Sequence, residues 1–278
     1  MKQHTLNAPC LFTGKGLHSG KSVSMQVLPA AAGTGIRFHR KDLGPSAFLQ
    51  VSAEYVKQTR RSTSLSHDGV KVVTSEHLLS ALYASGIDNA LVELDAPEIP
   101  ILDGSARHYA EAFAACGLAE LDAPRTCIPV ERTFVYEDPK SGSRITIEPA
   151  DAPSFEVTVD FPSKFVGIQH ARYDAGTDYI REIAPCRTFC FYQEIGLLLK
   201  LGLIKGGGLD NALVIDENRG YLGGKTPYFD NEPARHKLLD LMGDFALAGR
   251  PILAKVTAYK PGHKVNTQAL NHFLKTIR

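Results

Sequence analysis

The chain lacks a surplus of either charge. Lys and Arg number 31 against 30 Asp and Glu, a formal charge of +1 over 278 residues. That balance argues against a nucleic-acid partner or a polybasic membrane binder, both of which need excess cation. Long apolar runs are missing too. The most apolar stretch, Ile195-Gly-Leu-Leu-Leu-Lys-Leu-Gly-Leu-Ile204, is short and broken by Lys200, so no integral membrane segment is expected. The opening Met-Lys-Gln-His-Thr-Leu-Asn has no signal-peptide core. Cysteine is sparse: the five residues Cys10, Cys116, Cys127, Cys186 and Cys190 are odd in number and scattered. They read as reduced thiols, not a disulfide framework. These absences lead us to expect a cytoplasmic globular protein. A hydrophobic content of 44% supplies a sizeable core, and the length suits one large or two ordinary domains.

What is present repeats. Ser19-Gly-Lys-Ser-Val-Ser-Met-Gln-Val-Leu-Pro-Ala30 is a turn, an alternating strand and then Pro-Ala, and Ser141-Gly-Ser-Arg-Ile-Thr-Ile-Glu-Pro-Ala150 is the same device. A helix from His77 to near Gly86 precedes the strand Ala90–Leu94; a helix from His236 to near Gly249 precedes the strand Ile252–Val256. Ala30 and Ala150 lie 120 residues apart, His77 and His236 159 apart, so the second half carries 39 extra residues. Part of that excess falls in 189–216. The expected architecture is α+β: a first domain over 1–124 and a second over 125–278, joined near Asp122-Ala-Pro124. Thr74 or Ser75 is placed to cap the first helix, with Glu76 in its first turn. Asn231 or Glu232 opens the second before Pro233, and Gly249 and Pro251 stop it.

On the second helix His236, Asp240 and Asp244 form a polar stripe. The spacing i, i+4, i+8 puts all three on one face, among the apolar Leu238, Leu239, Leu241, Met242 and Phe245. A buried His over an Asp needs a partner. Two N/O ligands one turn apart suit Zn²⁺, but on spacing alone a satisfied structural His–Asp pair is the commoner reading. If the two domains pack about a pseudo-twofold, His77 and His236 approach one point. With Asp240 they make three ligands and leave one position open, as in catalytic zinc sites. Glu76, beside His77, is then a candidate general base, or only a favourable first-turn carboxylate.

His263 follows a glycine in Pro261-Gly-His-Lys-Val-Asn266 and is expected in a tight turn after the strand. There it could protonate a leaving amine, with Asp244 keeping it cationic, or be an exposed loop histidine. Thr188 offers a hydroxyl to an oxyanion, or is a strand threonine. Cys186 and Cys190 are rejected as ligands, since Pro185, Thr188 and Phe189 favour a strand and no second pair exists. Gly206-Gly-Gly208 is a flexible turn or, around Gly207, a cradle for phosphate. The run Phe189, Phe191, Ile195, Leu198, Leu199, Leu203, Ile204 reads either as a buried helix or as a groove for an acyl chain.

Taken together, these residues resemble one family, the UDP-3-O-acyl-N-acetylglucosamine deacetylases. The resemblance runs over almost the whole chain. It rests on Thr13-Gly-Lys-Gly-Leu-His-Ser-Gly20, Ser75-Glu-His-Leu-Leu-Ser-Ala-Leu82, Gly86-Ile-Asp-Asn89 and Pro97-Glu-Ile-Pro-Ile-Leu-Asp-Gly-Ser105. Arg187-Thr-Phe189, Gly206-Gly-Gly-Leu-Asp-Asn211, His236-Lys-Leu-Leu-Asp240 and Gly262-His263 complete it. The resemblance implies two two-layer α+β domains around a zinc ion, with an insert in the second forming a hydrophobic passage. It implies His77, His236 and Asp240 as metal ligands and Glu76 as general base. It further implies a cationic His263 partnered by Asp244, an oxyanion role for Thr188 and substrate contact by Lys237. Phe161 and Phe191 would lie near the nucleotide; Phe189, Ile195 and Gly207 complete the expected substrate contacts. The implied reaction is hydrolysis of an N-acetyl group on an acylated UDP-amino sugar, committing it to lipid A synthesis. Iron(II) would accept the same ligands. A monomer is expected, with peripheral membrane contact left open. Cys186 stands where a small residue is expected before Arg187, and the chain stops at Arg278 without a longer tail. Two rivals stay open: another zinc amidase, and a binding module whose stripe is structural.

Overall fold

A computed structural model describes residues 1–277. The first half contains β1 (Lys2–Leu6), β2 (Cys10–Lys15), β3 (Ser22–Pro29), β4 (Ile36–Arg40), β5 (Phe48–Gln50), β6 (Val56–Gln58), β7 (Ser64–His67) and β8 (Val70–Val72). Helix α1 (Glu76–Ala84), β9 (Ala90–Leu94), α2 (Arg107–Cys116) and β10 (Leu118–Pro124) follow. The second half runs β11 (Ile128–Pro129), β12 (Phe134–Asp138), β13 (Ser143–Pro149), β14 (Ser154–Asp160), β15 (Ile168–Tyr173), α3 (Tyr179–Glu182), β16 (Phe189–Phe191) and α4 (Tyr192–Lys200). It ends with β17 (Leu213–Asp216), β18 (Gly220–Tyr221), α5 (Glu232–Phe245), β19 (Ile252–Tyr259) and α6 (His263–Thr276).

Two sheets share one topology. The order β2-β3-β9-β4-β5 is repeated as β12-β13-β19-β14-β15, with β11 added beside β19. In each the first two pairings are antiparallel, the third is parallel and the last is antiparallel. Alternation explains why these segments are strands. Val23, Met25 and Val27 of β3 point into the core, as do Ile145 and Ile147 of β13, leaving the intervening residues outward.

Each sheet lays its apolar face on helices, and α1 packs against α5 where the halves meet. Helix α5 buries nearly its whole circumference, including Leu238, Leu239, Leu241, Met242 and Phe245. Gly243 allows that approach, because a Cβ there would stand 2.0 Å from the carbonyl oxygen of Glu76. Two small three-stranded sheets lie outside the repeat: β6-β7-β8, and β16-β17-β18 with α4. The second coincides with the expected insert. Among the described residues no helix is long and apolar enough to cross a membrane.

Two local expectations need correction. Neither Thr74 nor Ser75 caps α1 with its side chain. The Thr74 hydroxyl donates to Glu98 Oε1 at 2.9 Å, and that of Ser75 to the Thr63 carbonyl at 3.1 Å. Tertiary acceptors outcompete the local cap. Asn231 and Glu232 do open α5 before Pro233, and the Asn231 Nδ2 donates to the His170 carbonyl at 2.7 Å. His263 is not in a tight turn. It is the first residue of α6, preceded by Gly262 in extended backbone, because the amphipathic run Val265–Phe273 folds back over β12 and β13. Its ring is buried rather than exposed.

Candidate metal centre and active site

Three helices converge on one point. The first turn of α1 brings Glu76 and His77, one face of α5 brings His236, Asp240 and Asp244, and the start of α6 brings His263; all six are buried. His77, His236 and Asp240 each offer a ligand atom, and these atoms lie within 4.8 Å of one another. His77 Nε2 stands 3.7 Å and His236 Nε2 3.5 Å from Asp240 Oδ1. That oxygen has no hydrogen-bond partner although it is buried. An orphaned carboxylate oxygen faced by two imidazole nitrogens fits a divalent cation.

The surroundings prepare the ligands. His236 Nδ1 pairs with the Cys186 carbonyl at 3.0 Å, which fixes the proton on Nδ1 and leaves Nε2 a free lone pair. Burial pushes His77 down to about 3, helped by the neighbouring His236. Burial also lowers His236. Both rings are therefore neutral, as metal ligands must be. Burial opposes the charge on Asp240, but His236, Lys237 and His263 outweigh it and hold the carboxyl below its ordinary range. Lys237 Nζ donates to Asp240 Oδ2 at 2.7 Å and stands over the Phe189 ring.

Beside the three candidate ligands sits a carboxylate–imidazole pair. His263 Nε2 is 3.7 Å from Glu76 Oε1 and 3.8 Å from Asp240 Oδ2, while its Nδ1 donates to Asp244 Oδ2 at 3.0 Å. Burial pushes Glu76 up to about 7, with Asp240 and Asp244 adding and His263 opposing. For His263 burial opposes the charge, but Asp244, Asp240 and Glu76 prevail and raise it to about 9. The imidazole is thus cationic at neutral pH.

A cleft of about 490 Å³ opens on these groups and is also lined by Phe161, Thr188, Phe189 and Lys237. A second cavity of about 340 Å³, largely apolar, is walled by Phe189, Ile195, Leu198, Leu209 and Val214 with Gly207. The two share Leu17, Arg61, Thr188 and Phe189. Helix α4 forms part of the second wall and buries only Leu198, so the groove describes it better than a buried helix. Phe191 lines neither cavity; its ring packs against Phe161 and Phe189. The amides of Gly206, Gly207 and Gly208 donate to Leu17, Ile204 and Asn211 within the protein, which corrects the phosphate-cradle reading. Cys186 and Cys190 join no metal-binding group among the described residues.

Several contributors carried no local signal. The Thr63 amide donates to Glu76 Oε2 at 3.0 Å and its hydroxyl to Asp244 Oδ1 at 2.5 Å, so one residue steadies both carboxylates. Asn266 Nδ2 donates to Asp244 at 2.9 Å. Glu98 accepts the amides of His18 and Ser19 at 2.8 and 2.7 Å as well as the Thr74 hydroxyl. Arg187 and Glu232 form a buried pair, Nε to Oε1 2.9 Å and Nη2 to Oε2 3.1 Å, which ties the segment that leads through Thr188 into β16 to the start of α5. All are long-range polar pairs, invisible to periodicity.

Comparison with known proteins shows the family. The family model described as UDP-3-O-acyl N-acetylglycosamine deacetylase matches residues 3–275. A UDP-3-O-acyl-N-acetylglucosamine deacetylase of Myxococcus xanthus is 41% identical over 98% of this chain and 84% of its own length. One of Acidithiobacillus ferrooxidans is 40% identical over 99% and 90%. A bifunctional enzyme LpxC/FabZ of Porphyromonas gingivalis is 39% identical over 100% of this chain, which spans 65% of that longer protein. The chain belongs to the UDP-3-O-acyl N-acetylglycosamine deacetylase family.

Proposed function

We propose that this chain hydrolyses the N-acetyl group of UDP-3-O-acyl-N-acetylglucosamine, giving the free amine and acetate, the committed step of lipid A synthesis. The observation that carries this reading is the meeting of a buried His77–His236–Asp240 cluster with a Glu76–His263 pair, beside an apolar cavity. Two relatives, of which this chain spans 90% and 84%, are named for that reaction. The metal we propose is zinc and the setting the cytoplasm. We take residues 1–124 and 125–278 as the two domains.

His77, His236 and Asp240 would hold the ion, which when bound polarises a carbonyl and acidifies water. The remaining steps belong to the side chains. Glu76 takes a proton from the water whose oxygen attacks the acetyl carbonyl carbon. Protonated His263 and the Thr188 hydroxyl donate to the oxyanion that develops. As the carbon–nitrogen bond breaks, the amine nitrogen takes a proton from Glu76 or His263, and acetate departs. Asp244 keeps His263 charged and oriented. Lys237 and Phe161 face the substrate in the cleft, and the acyl chain takes the apolar cavity.

The test is acetate release from a UDP-3-O-acyl-N-acetylglucosamine before and after chelation and zinc restoration. Loss on stripping with recovery on zinc is expected. No release from fully metallated protein overturns the substrate, and equal release from UDP-N-acetylglucosamine lacking the acyl chain favours a broader amidase.

A further inference from the structure

Arg61 sits at the tip of the β6–β7 hairpin in left-handed backbone, φ 63°. It contributes to the walls of both cavities. Its guanidinium pairs with Glu194, in the first turn of α4 and 133 residues away in sequence. Glu194 is itself fixed, because its other carboxylate oxygen accepts the Phe191 amide at 3.3 Å. Helix α4 needs restraint: Leu197 is 62% and Leu199 51% exposed, and only Leu198 is buried. A half-exposed ion pair adds little to overall stability. It does join two segments that line one apolar cavity. Two residues beyond Arg61, Thr63 holds Glu76 and Asp244, so the hairpin that carries the cation also steadies Glu76 on α1.

We propose that Arg61 and Glu194 form a clasp that closes the apolar passage over a bound acyl chain, which makes Arg61 a specificity-determining position. The identity of the occupant as an acyl chain rests on the deacetylase reading above. The stem of Arg61 covers apolar wall while its head pairs outside. Breaking the pair frees α4 to move outward and loosens the hold on long chains more than on short ones.

The experiment uses the full chain and a dansyl-labelled fatty acid, followed by fluorescence titration. Arg61→Met and Glu194→Gln are each expected to weaken the probe roughly two- to fivefold, and the double variant no more than the weaker single. High salt is expected to weaken the wild type toward the variants, since exposed pairs are screened. The ratio of kcat/KM for a long over a short 3-O-acyl substrate falls in the same pattern. Arg61→Lys, which keeps the cation, should lose less than Arg61→Met. Additive losses, or an Arg61→Met effect without a Glu194→Gln effect, overturn the clasp, as does unchanged affinity throughout. Wild-type protein that binds the probe but releases no acetate overturns the deacetylase reading and leaves the clasp to be judged by the probe.

Discussion

Asp244 accepts the Nδ1 proton of His263 at 3.0 Å, both side chains being buried. That bond leaves Nε2 facing Glu76 and Asp240, so the imidazolium is held by carboxylates on both nitrogens.

A stability profile follows for the metal-free protein. His263 rises from an ordinary 6.5 to about 9, and Glu76 from 4.5 to about 7. The folded chain therefore binds more protons than the unfolded one, and stability falls as pH rises through these values. His77 and His236 shift down; their contribution grows with pH but is complete near 6.5. The Tm of EDTA-treated protein should drop between pH 6.5 and 9, and His263→Gln should flatten that slope. A Tm constant across this window contradicts the charge assignment.

Glu76→Ala should keep its metal and lose about 10²–10⁴ in kcat, the usual worth of a general base. Asp240→Ala should lose metal affinity along with activity. Zinc stoichiometry measured beside acetate release separates the two. Near-wild-type kcat in the first variant removes Glu76 from the mechanism, and full stoichiometry in the second removes Asp240 from the ligand set.

Gly243→Ala reverses an ordinary rule. Alanine in a helix interior is normally favoured over glycine by about 1 kcal/mol. Here the added methyl meets the Glu76 backbone oxygen, which cannot swing aside. A net loss of about 1–3 kcal/mol is expected from overpacking, with weaker metal retention as α1 and α5 part. Thermal melting and bound zinc are the measurements, and a raised Tm would show that the helices adjust freely.

Glu232→Ala should cost about 3–5 kcal/mol, because it leaves the buried Arg187 guanidinium unpaired. Replacing both, as Arg187→Met with Glu232→Leu, should cost less than the single change. Urea unfolding of the three proteins decides this. A double variant worse than Glu232→Ala means the pair is more than a matched burial of charge.

The sequence by itself determined what depends on local periodicity. Spacing of i, i+4, i+8 put His236, Asp240 and Asp244 on one helical face, and alternation marked β3, β13 and their repeats. The Pro-Ala and His landmarks made the doubled topology legible, and their unequal offsets pointed to the insert. Tertiary structure alone decided what depends on distant pairing. Thr63, Glu98, Asn266 and Glu232 act on partners far along the chain, and no short-range pattern encodes such a bond. The same cause explains the missing caps at Thr74 and Ser75, whose side chains found better acceptors elsewhere. His263 reads as a loop residue locally, and its burial is decided by the packing of α6 on α5 and on the second sheet. Gly243 looks like a weak point in a helix until the neighbouring helix occupies the space its side chain would fill.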